Sequence, residues 1–97
     1  MELELELELE LEMMNPHVLT VSPQAEYKLQ LAFENGEVRI FDLTPYLDIG
    51  VFRALRDKAL FAKASVVHGS IEWPGELDLS YDTLYLTSVA VAHAAAA

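Results

Sequence analysis

Hydrophobic and polar residues alternate most clearly in the stretch YKLQLAFE, at residues 27–34. This period of two is typical of a strand that buries one face. Asn35-Gly36 follows at once and favours a two-residue type I′ turn, because both central positions of that turn need a positive φ. We therefore predict a hairpin that places Phe33 opposite Val38 on the apolar face.

A second hairpin is predicted around Gly69-Ser70. The residues on either side, 64–68 and 71–73, contain the β-branched and aromatic side chains that favour strands. Glycine at the first loop position suits a type II′ turn. This register places Val66 opposite Trp73.

The first strand of the domain is predicted over residues 17–22. Leu19 and Val21 would face the same side, since alternate residues of a strand share a face. Pro23 would interrupt this strand, because proline cannot donate to the hydrogen-bonding ladder.

Helical signals follow the first hairpin. Thr44-Pro45 is typical of a helix start, because threonine can cap a helix and proline fits its first turn. Leu47, Val51 and Leu55 then recur with helical spacing and predict one apolar helix face.

Two further short helices are predicted from their caps. Asp57 precedes a turn that carries Leu60 and Phe61. Ser80 is a suitable N-cap for a helix over residues 81–86, since its hydroxyl can accept a hydrogen bond from the first helical turn.

These elements predict an α+β domain with two layers. A mostly antiparallel sheet of four or five strands, containing both hairpins, would carry short helices on one face. A chain of 97 residues has room for one such domain. We place it at residues 14–88, between a Leu/Glu-repeat extension at 1–13 and an Ala-rich tail at 89–97.

The extension has a pattern of its own. Residues 2–12 read ELELELELELE, so an extended strand would carry leucines on one face and glutamates on the other. So regular a repeat is typical of a tag-like or engineered addition. The alternative is that it adds to a sheet edge of its own domain or of another copy and drives self-association.

Charge narrows the possible functions. The net charge is −10, and six glutamates of the extension account for most of it. Nucleic acids and anionic membranes are poor partners for such a chain, because both are bound through Lys and Arg. No apolar run approaches the about 20 residues that span a bilayer, and no secretory signal is recognisable, so we expect a cytoplasmic protein.

Acidic residues are densest near the predicted last helix. Asp78 and Asp82, with Glu72 and Glu76 close by, could act in acid–base chemistry or bind Mg²⁺ or Ca²⁺. Asp82 is also well placed near the amino terminus of that helix, and Glu72 falls on the outer face of its strand. We therefore favour structural or solvated roles and predict neither a metal nor a cofactor.

Zinc binding and nucleophilic catalysis have less support. The three histidines lack the spacing of zinc ligands, and the chain has no cysteine. Neither Ser70 nor Ser80 lies in a Gly-x-Ser-x-Gly turn. We predict no catalytic residues, and we expect that the protein is not an enzyme.

The aromatic residues offer a binding surface instead. Trp73 suits the core, whereas Tyr81 and Tyr85 could form a binding rim near a helix end. With the nearby carboxylates, the predicted binding residues are Trp73, Asp78, Tyr81, Asp82 and Tyr85.

Several ordered segments resemble one known family. The most distinctive are residues 71–74 (IEWP), 78–80 (DLS) and 82–85 (DTLY), and the others are residues 27–29, 33–38, 41–43 and 50–55. Together they resemble the bacterial domain-of-unknown-function family 2442 over about residues 14–86. The family pattern after Trp-Pro is commonly Asn-Gly-Ala-Asp-Leu, whereas residues 75–79 here read GELDL.

The resemblance implies a small α+β domain of unassigned activity. Some members are encoded beside another small protein in pairs that look like toxin–antitoxin modules. It therefore implies a regulatory, protein-binding module whose partner is another small protein. The alternative from a different class is a chain that self-associates through the Leu/Glu strand at a sheet edge.

Overall fold

A computed structural model describes residues 15–91 of the chain. Its strands are β1 (Val18–Gln24), β2 (Lys28–Phe33), β3 (Val38–Asp42), β4 (Ser65–Val67), β5 (Ser70–Trp73), β6 (Leu77–Leu79) and β7 (Val89–Ala90). Its α-helices are α1 (Lys58–Phe61) and α2 (Tyr81–Thr87), and 3₁₀ helices cover Ala25–Tyr27, Thr44–Tyr46 and Gly50–Arg56.

The strands form two antiparallel sheets. One has the order β1-β2-β3-β7 and the other the order β4-β5-β6. The predicted α+β class is confirmed, with the strands divided between two sheets. No helix within residues 15–91 is long and apolar enough to cross a membrane.

Both sheets contribute to one hydrophobic core. Alternate residues of the strands point into it, and a fully buried side chain of this kind contributes about 1.5–3 kcal/mol to folding. The strand residues of the core are Val18, Leu29, Leu31, Phe33, Phe41, Ile71, Trp73, Leu77 and Leu79. Leu43, Leu55, Phe61 and Leu84 complete it from the loops and helices.

The β2–β3 turn differs from the predicted type I′ turn. Gly36 has a φ of +90°, but Asn35 does not take the positive φ that this turn requires. The Asn35 side-chain oxygen instead accepts a hydrogen bond from the Glu37 N–H at 3.0 Å. The Gly36 N–H donates to the Phe33 carbonyl at 2.9 Å, which gives a three-residue loop with glycine in the left-handed position.

The longer loop shifts the hairpin register by one residue. Val38 pairs with Ala32 rather than with Phe33, and Leu31 pairs with Arg39. Because strand side chains alternate, a one-residue shift moves β3 side chains to the opposite face. The predicted position of Val38 on the apolar face is therefore wrong, and Arg39 lies there instead, with 16% of its side chain exposed.

The β4–β5 turn also differs from the prediction. His68 and Gly69 have φ values of +51° and +80° and form the two-residue loop, whereas Ser70 begins β5. Val66 therefore pairs with Ile71 and not with Trp73. Two positive φ values in succession are those of a type I′ turn, so this turn type occurs at the second hairpin and not at the first.

The first strand continues through Pro23 to Gln24, so the predicted interruption is wrong. β1 is an edge strand, where the missing N–H of proline can face away from the sheet. Leu19 is 60% exposed and does not share the inward face with Val21, because the pairing register shifts between Val18 and Thr20.

The segment after β3 forms 3₁₀ helices and not the predicted α-helix. A 3₁₀ helix has three residues per turn, so Phe52 and Leu55 share a face, while Val51 is 69% exposed. Pro45 lies in the first turn as predicted. The Thr44 hydroxyl, however, is not a helix cap and donates to Asp42 Oδ1 at 2.7 Å.

The other two predicted helix caps, Asp57 and Ser80, are confirmed. Asp57 Oδ1 accepts a hydrogen bond from the Ala59 N–H at 2.9 Å at the start of α1. Ser80 Oγ accepts one from the Thr83 N–H at 3.3 Å at the start of α2.

Two segments lie outside the predicted domain, residues 1–13 and 89–97. The predicted Leu/Glu strand of residues 1–13 lies outside the described residues. At the other end, Val89 and Ala90 form β7 and pair with Ile40 and Arg39, so the sheet includes the first two residues of the predicted tail.

Candidate functional site

An apolar cleft of about 590 Å³ lies between the β1–β2 connection and α1. We call it the α1 cleft. Pro23, Ala25 and Tyr27 line one side, and Phe61 and Ala62 line the other. A cleft of this volume falls within the range of ligand pockets, which is about 300–1,000 Å³.

Tyr27 joins the two sides of the cleft. Its hydroxyl donates a hydrogen bond to the Arg56 carbonyl, and its ring packs edge-to-face on Phe61 with 5.3 Å between centroids. The Leu43 N–H donates to the Tyr27 carbonyl at 2.9 Å. The tyrosine is thereby held on three sides, so the cleft has a fixed wall.

The backbone of this wall is strained. Glu26 and Tyr27 both have a φ of +61°, the left-handed conformation that costs a non-glycine residue about 1–2 kcal/mol. Strained positions of this kind cluster at binding and catalytic sites. The strain therefore adds weight to the cleft as the candidate site.

A polar cluster outside the cleft connects the β2–β3 hairpin to the end of α2. We call it the Arg39 network. Arg39 donates from Nη1 to Glu37 Oε1, from Nε to Ser88 Oγ and from Nη2 to the Ser88 carbonyl, each at 2.7 Å. Its guanidinium lies 4.5 Å from the centre of the Tyr85 ring, and the Tyr85 hydroxyl donates to Glu37 Oε2 at 2.7 Å.

The network shifts the pKa values of its members. The Tyr85 hydroxyl and then Arg39 lower the pKa of Glu37, because both bind its charged form. The same hydrogen bond to Glu37, followed by burial, raises the pKa of Tyr85. A similar effect outside the network lowers the pKa of Asp42, which accepts hydrogen bonds from the N–H and hydroxyl of Thr44.

Glu37→Gln should therefore weaken the dependence of stability on pH. The pKa of Glu37 is lower in the folded state than its usual value of 4.5, so its ionised form stabilises the fold at pH values above 4.5. This contribution is lost as the pH falls through the folded-state pKa. At pH 7 the substitution should cost about 1 kcal/mol in hydrogen bonding. Urea unfolding between pH 3 and 7 would measure both effects.

Tyr85→Phe provides the control, because it removes the donor with the largest influence on Glu37. It should flatten the acid limb of the profile in part, and the double variant should resemble Glu37→Gln. A wild-type acid limb in both single variants would contradict the role of this hydrogen bond.

The five predicted binding residues lie in different surroundings. Trp73 is 3% exposed and donates from Nε1 to the Phe61 carbonyl at 3.0 Å. Tyr81 packs on His17 with 4.1 Å between ring centroids. Asp82 Oδ1 accepts a hydrogen bond from Asn15 at 2.7 Å.

The remaining two predicted residues are also separated. Tyr85 belongs to the Arg39 network, and Asp78 is exposed on β6. Tyr81, Asp82 and Tyr85 share α2, but α2 is not part of the α1 cleft. Trp73 does not line the cleft, but it donates a hydrogen bond to the backbone of Phe61, which does.

Among the groups considered for catalysis or metal binding, Ser70, Ser80 and Asp82 make contacts within the fold, whereas Glu72, Glu76 and Asp78 are exposed. Ser80 caps α2, and Ser70 Oγ accepts a hydrogen bond from the Tyr81 N–H at 3.0 Å. Across residues 15–91 there is no group of three or more His, Asp and Glu side chains arranged to hold a metal ion.

Sequence reasoning missed the α1 cleft. The sequence holds a basic cluster at Arg53, Arg56, Lys58 and Lys63, but a solvated helix face accounts for these charges better than a phosphate site does, because no glycine-rich loop accompanies them. No sequence pattern indicates the apolar lining, because residues 23–27 form it together with a helix that begins about 30 residues later in the chain.

Fold and cleft together define a small α+β domain with two antiparallel sheets and an apolar cleft beside α1. A family model described as "Protein of unknown function (DUF2442)" matches residues 18–90. The match covers most of the chain, and the chain therefore belongs to this family. No curated protein and no solved structure matched the chain.

Proposed function

We propose that this domain is a non-catalytic protein-binding module that takes an apolar side chain of its partner into the α1 cleft. The observation that carries the proposal is the cleft itself, with its apolar lining and its strained wall at Glu26 and Tyr27. Buried apolar anchors supply most of the affinity at protein interfaces, and a fixed pocket for one lowers the cost of binding.

The partner is proposed to be another small cytoplasmic protein in a regulatory pair. The support for this step is the family resemblance, since some members of the family are encoded beside another small protein in pairs that look like toxin–antitoxin modules. The contacts of Ser70, Ser80 and Asp82 favour binding over catalysis, because each polar group already has a partner within the fold.

Self-association through a sheet edge has weaker support. β1 is an edge strand of the four-stranded sheet, but its first residue, Val18, donates a hydrogen bond to the Gly69 carbonyl of the β4–β5 turn, and Pro23 lies within the strand. A strand that added to this edge would find no N–H at Pro23, which reduces the hydrogen bonds available to it.

A pair of alanine substitutions tests the cleft. Ala62 and Ala59 are both exposed and lie on or next to α1, but only Ala62 lines the cleft. Ala62→Tyr would fill the cleft, whereas Ala59→Tyr would place the same side chain outside it. We expect Ala62→Tyr to weaken binding at least about tenfold and Ala59→Tyr to leave it within about twofold.

The measurement is co-purification and calorimetric titration of the full chain with the product of the adjacent gene. Circular dichroism would verify that both variants fold. Equal binding by the two variants would show that a partner, if bound, uses another surface, and no binding by the wild-type chain would refute the regulatory pair.

A further inference from the structure

We infer that the partner segment entering the α1 cleft is acidic as well as apolar. This inference rests on the proposed function and adds the chemistry of the partner. It follows from the charge of residues 50–63, which contribute Lys58, Phe61 and Ala62 to the cleft and are net positive, whereas the whole chain is net negative.

Positive charge is concentrated in the segment that forms one wall of the cleft. The chain has six Lys and Arg residues, and four of them lie within residues 50–63, where Asp57 is the one acidic residue. Lys58 and Glu26 both line the cleft, and Glu26 is paired with Lys28. The chain as a whole carries sixteen acidic residues, so this segment is a local exception.

Acidic groups near the cleft are already engaged. Asp48 pairs with Arg56, Asp57 caps α1, and Glu26 lies 3.5 Å from the Lys28 ammonium. Within residues 15–91, Lys58 and Lys63 make no salt bridge. Their charges are therefore available to an acidic partner, which complementary potentials would attract and orient.

The apolar residues of the cleft and Lys58 would contact different parts of the ligand. Tyr27, Phe61 and Ala62 offer contacts to an apolar side chain, and Lys58 offers an ammonium to a carboxylate beside it. The fitting ligand is thus a peptide in which Leu, or another large apolar residue, is flanked by Glu or Asp.

Fluorescence anisotropy with a labelled peptide of the sequence ELELELELELE tests this chemistry on the full-length chain. The control peptide carries Gln in place of every Glu. We expect the Glu peptide to bind at least about tenfold more tightly in 50 mM salt, with the difference shrinking in 500 mM salt as charges are screened. The peptide reproduces residues 2–12, so the Glu and Gln peptides are compared on the same variant, where any competition by that segment is equal for both.

Charge reversals then locate the contact. Lys58→Glu should weaken binding of the Glu peptide about three- to tenfold, whereas Arg53→Glu, a matched reversal that does not line the cleft, should change it less than about twofold. Equal affinity for the two peptides, or equal effects of the two reversals, would overturn the inference.

Two further results distinguish an acidic partner segment from the proposed function alone and from a second copy of the chain. Loss of the natural partner in Ala62→Tyr without any binding of the Glu peptide would refute the acidic partner and leave the proposed function intact. Sedimentation that shows a dimer of the full chain, dissociated by Lys58→Glu, would identify the occupant as a second copy and overturn the choice of a separate partner.

Discussion

Gly69→Ala should destabilise the domain by about 2–5 kcal/mol, the largest effect we predict for a one-carbon change. Gly69 has a φ of +80°, where alanine costs about 1–2 kcal/mol. A Cβ at this position would also lie 2.5 Å from Cβ of His17. Relief of such overlap needs a backbone shift, which typically costs about 1–3 kcal/mol more.

The overlap matters because Gly69 connects the two sheets. Its carbonyl accepts a hydrogen bond from the Val18 N–H at 2.9 Å, where β1 meets the β4–β5 turn. A shift that relieves the clash would therefore strain this contact too. Urea unfolding followed by circular dichroism would measure the change in the free energy of unfolding.

Gly36→Ala is the matched control. Gly36 has a φ of +90°, but a Cβ added there would have no atom within 4 Å, so alanine should cost only the conformational strain, about 1–2 kcal/mol. In a His17→Gly background, Gly69→Ala should fall to the same cost. If the two single substitutions lowered the free energy of unfolding equally, the close approach of His17 would not contribute to the cost of Gly69→Ala.

Arg39→Met should destabilise the domain by about 2–3 kcal/mol. Methionine keeps an apolar stem but loses all three hydrogen bonds and the contact with the Tyr85 ring. Ser88 is buried, so its carbonyl would lose its Arg39 partner where water has little access, and an unsatisfied buried group costs about 1–3 kcal/mol. The Ser88 hydroxyl keeps the hydrogen bond that it donates to the Tyr85 carbonyl. Part of this cost is offset because Glu37 can regain water.

Arg53→Met is the control for this substitution. Arg53 is exposed and lies outside the Arg39 network, so the same change should stay within about 0.5 kcal/mol. Thermal and urea unfolding of both variants would compare them. Similar stabilities would mean that the Arg39 network adds nothing to the fold.

The position of Arg39 illustrates what could not be predicted from the sequence. The segment FENGEV is compatible with a two-residue loop and with a three-residue loop, and the two differ by one residue in register. The Asn35 side chain selects the longer loop by accepting the Glu37 N–H. One hydrogen bond thus places an arginine on the packed face, where Ser88 and Tyr85 supply its partners from 46 or more residues later.

The amino-acid sequence by itself determined the α+β class, the strand character of residues 28–33 and 71–73, and the caps of α1 and α2. These features depend on residues within a few positions of one another, so local periodicity and capping reveal them. Only the tertiary structure decided the hairpin registers, the division into two sheets and the α1 cleft. Each of these results from contacts between distant segments, such as Tyr27 with Arg56 and Phe61, whose energies no local pattern encodes.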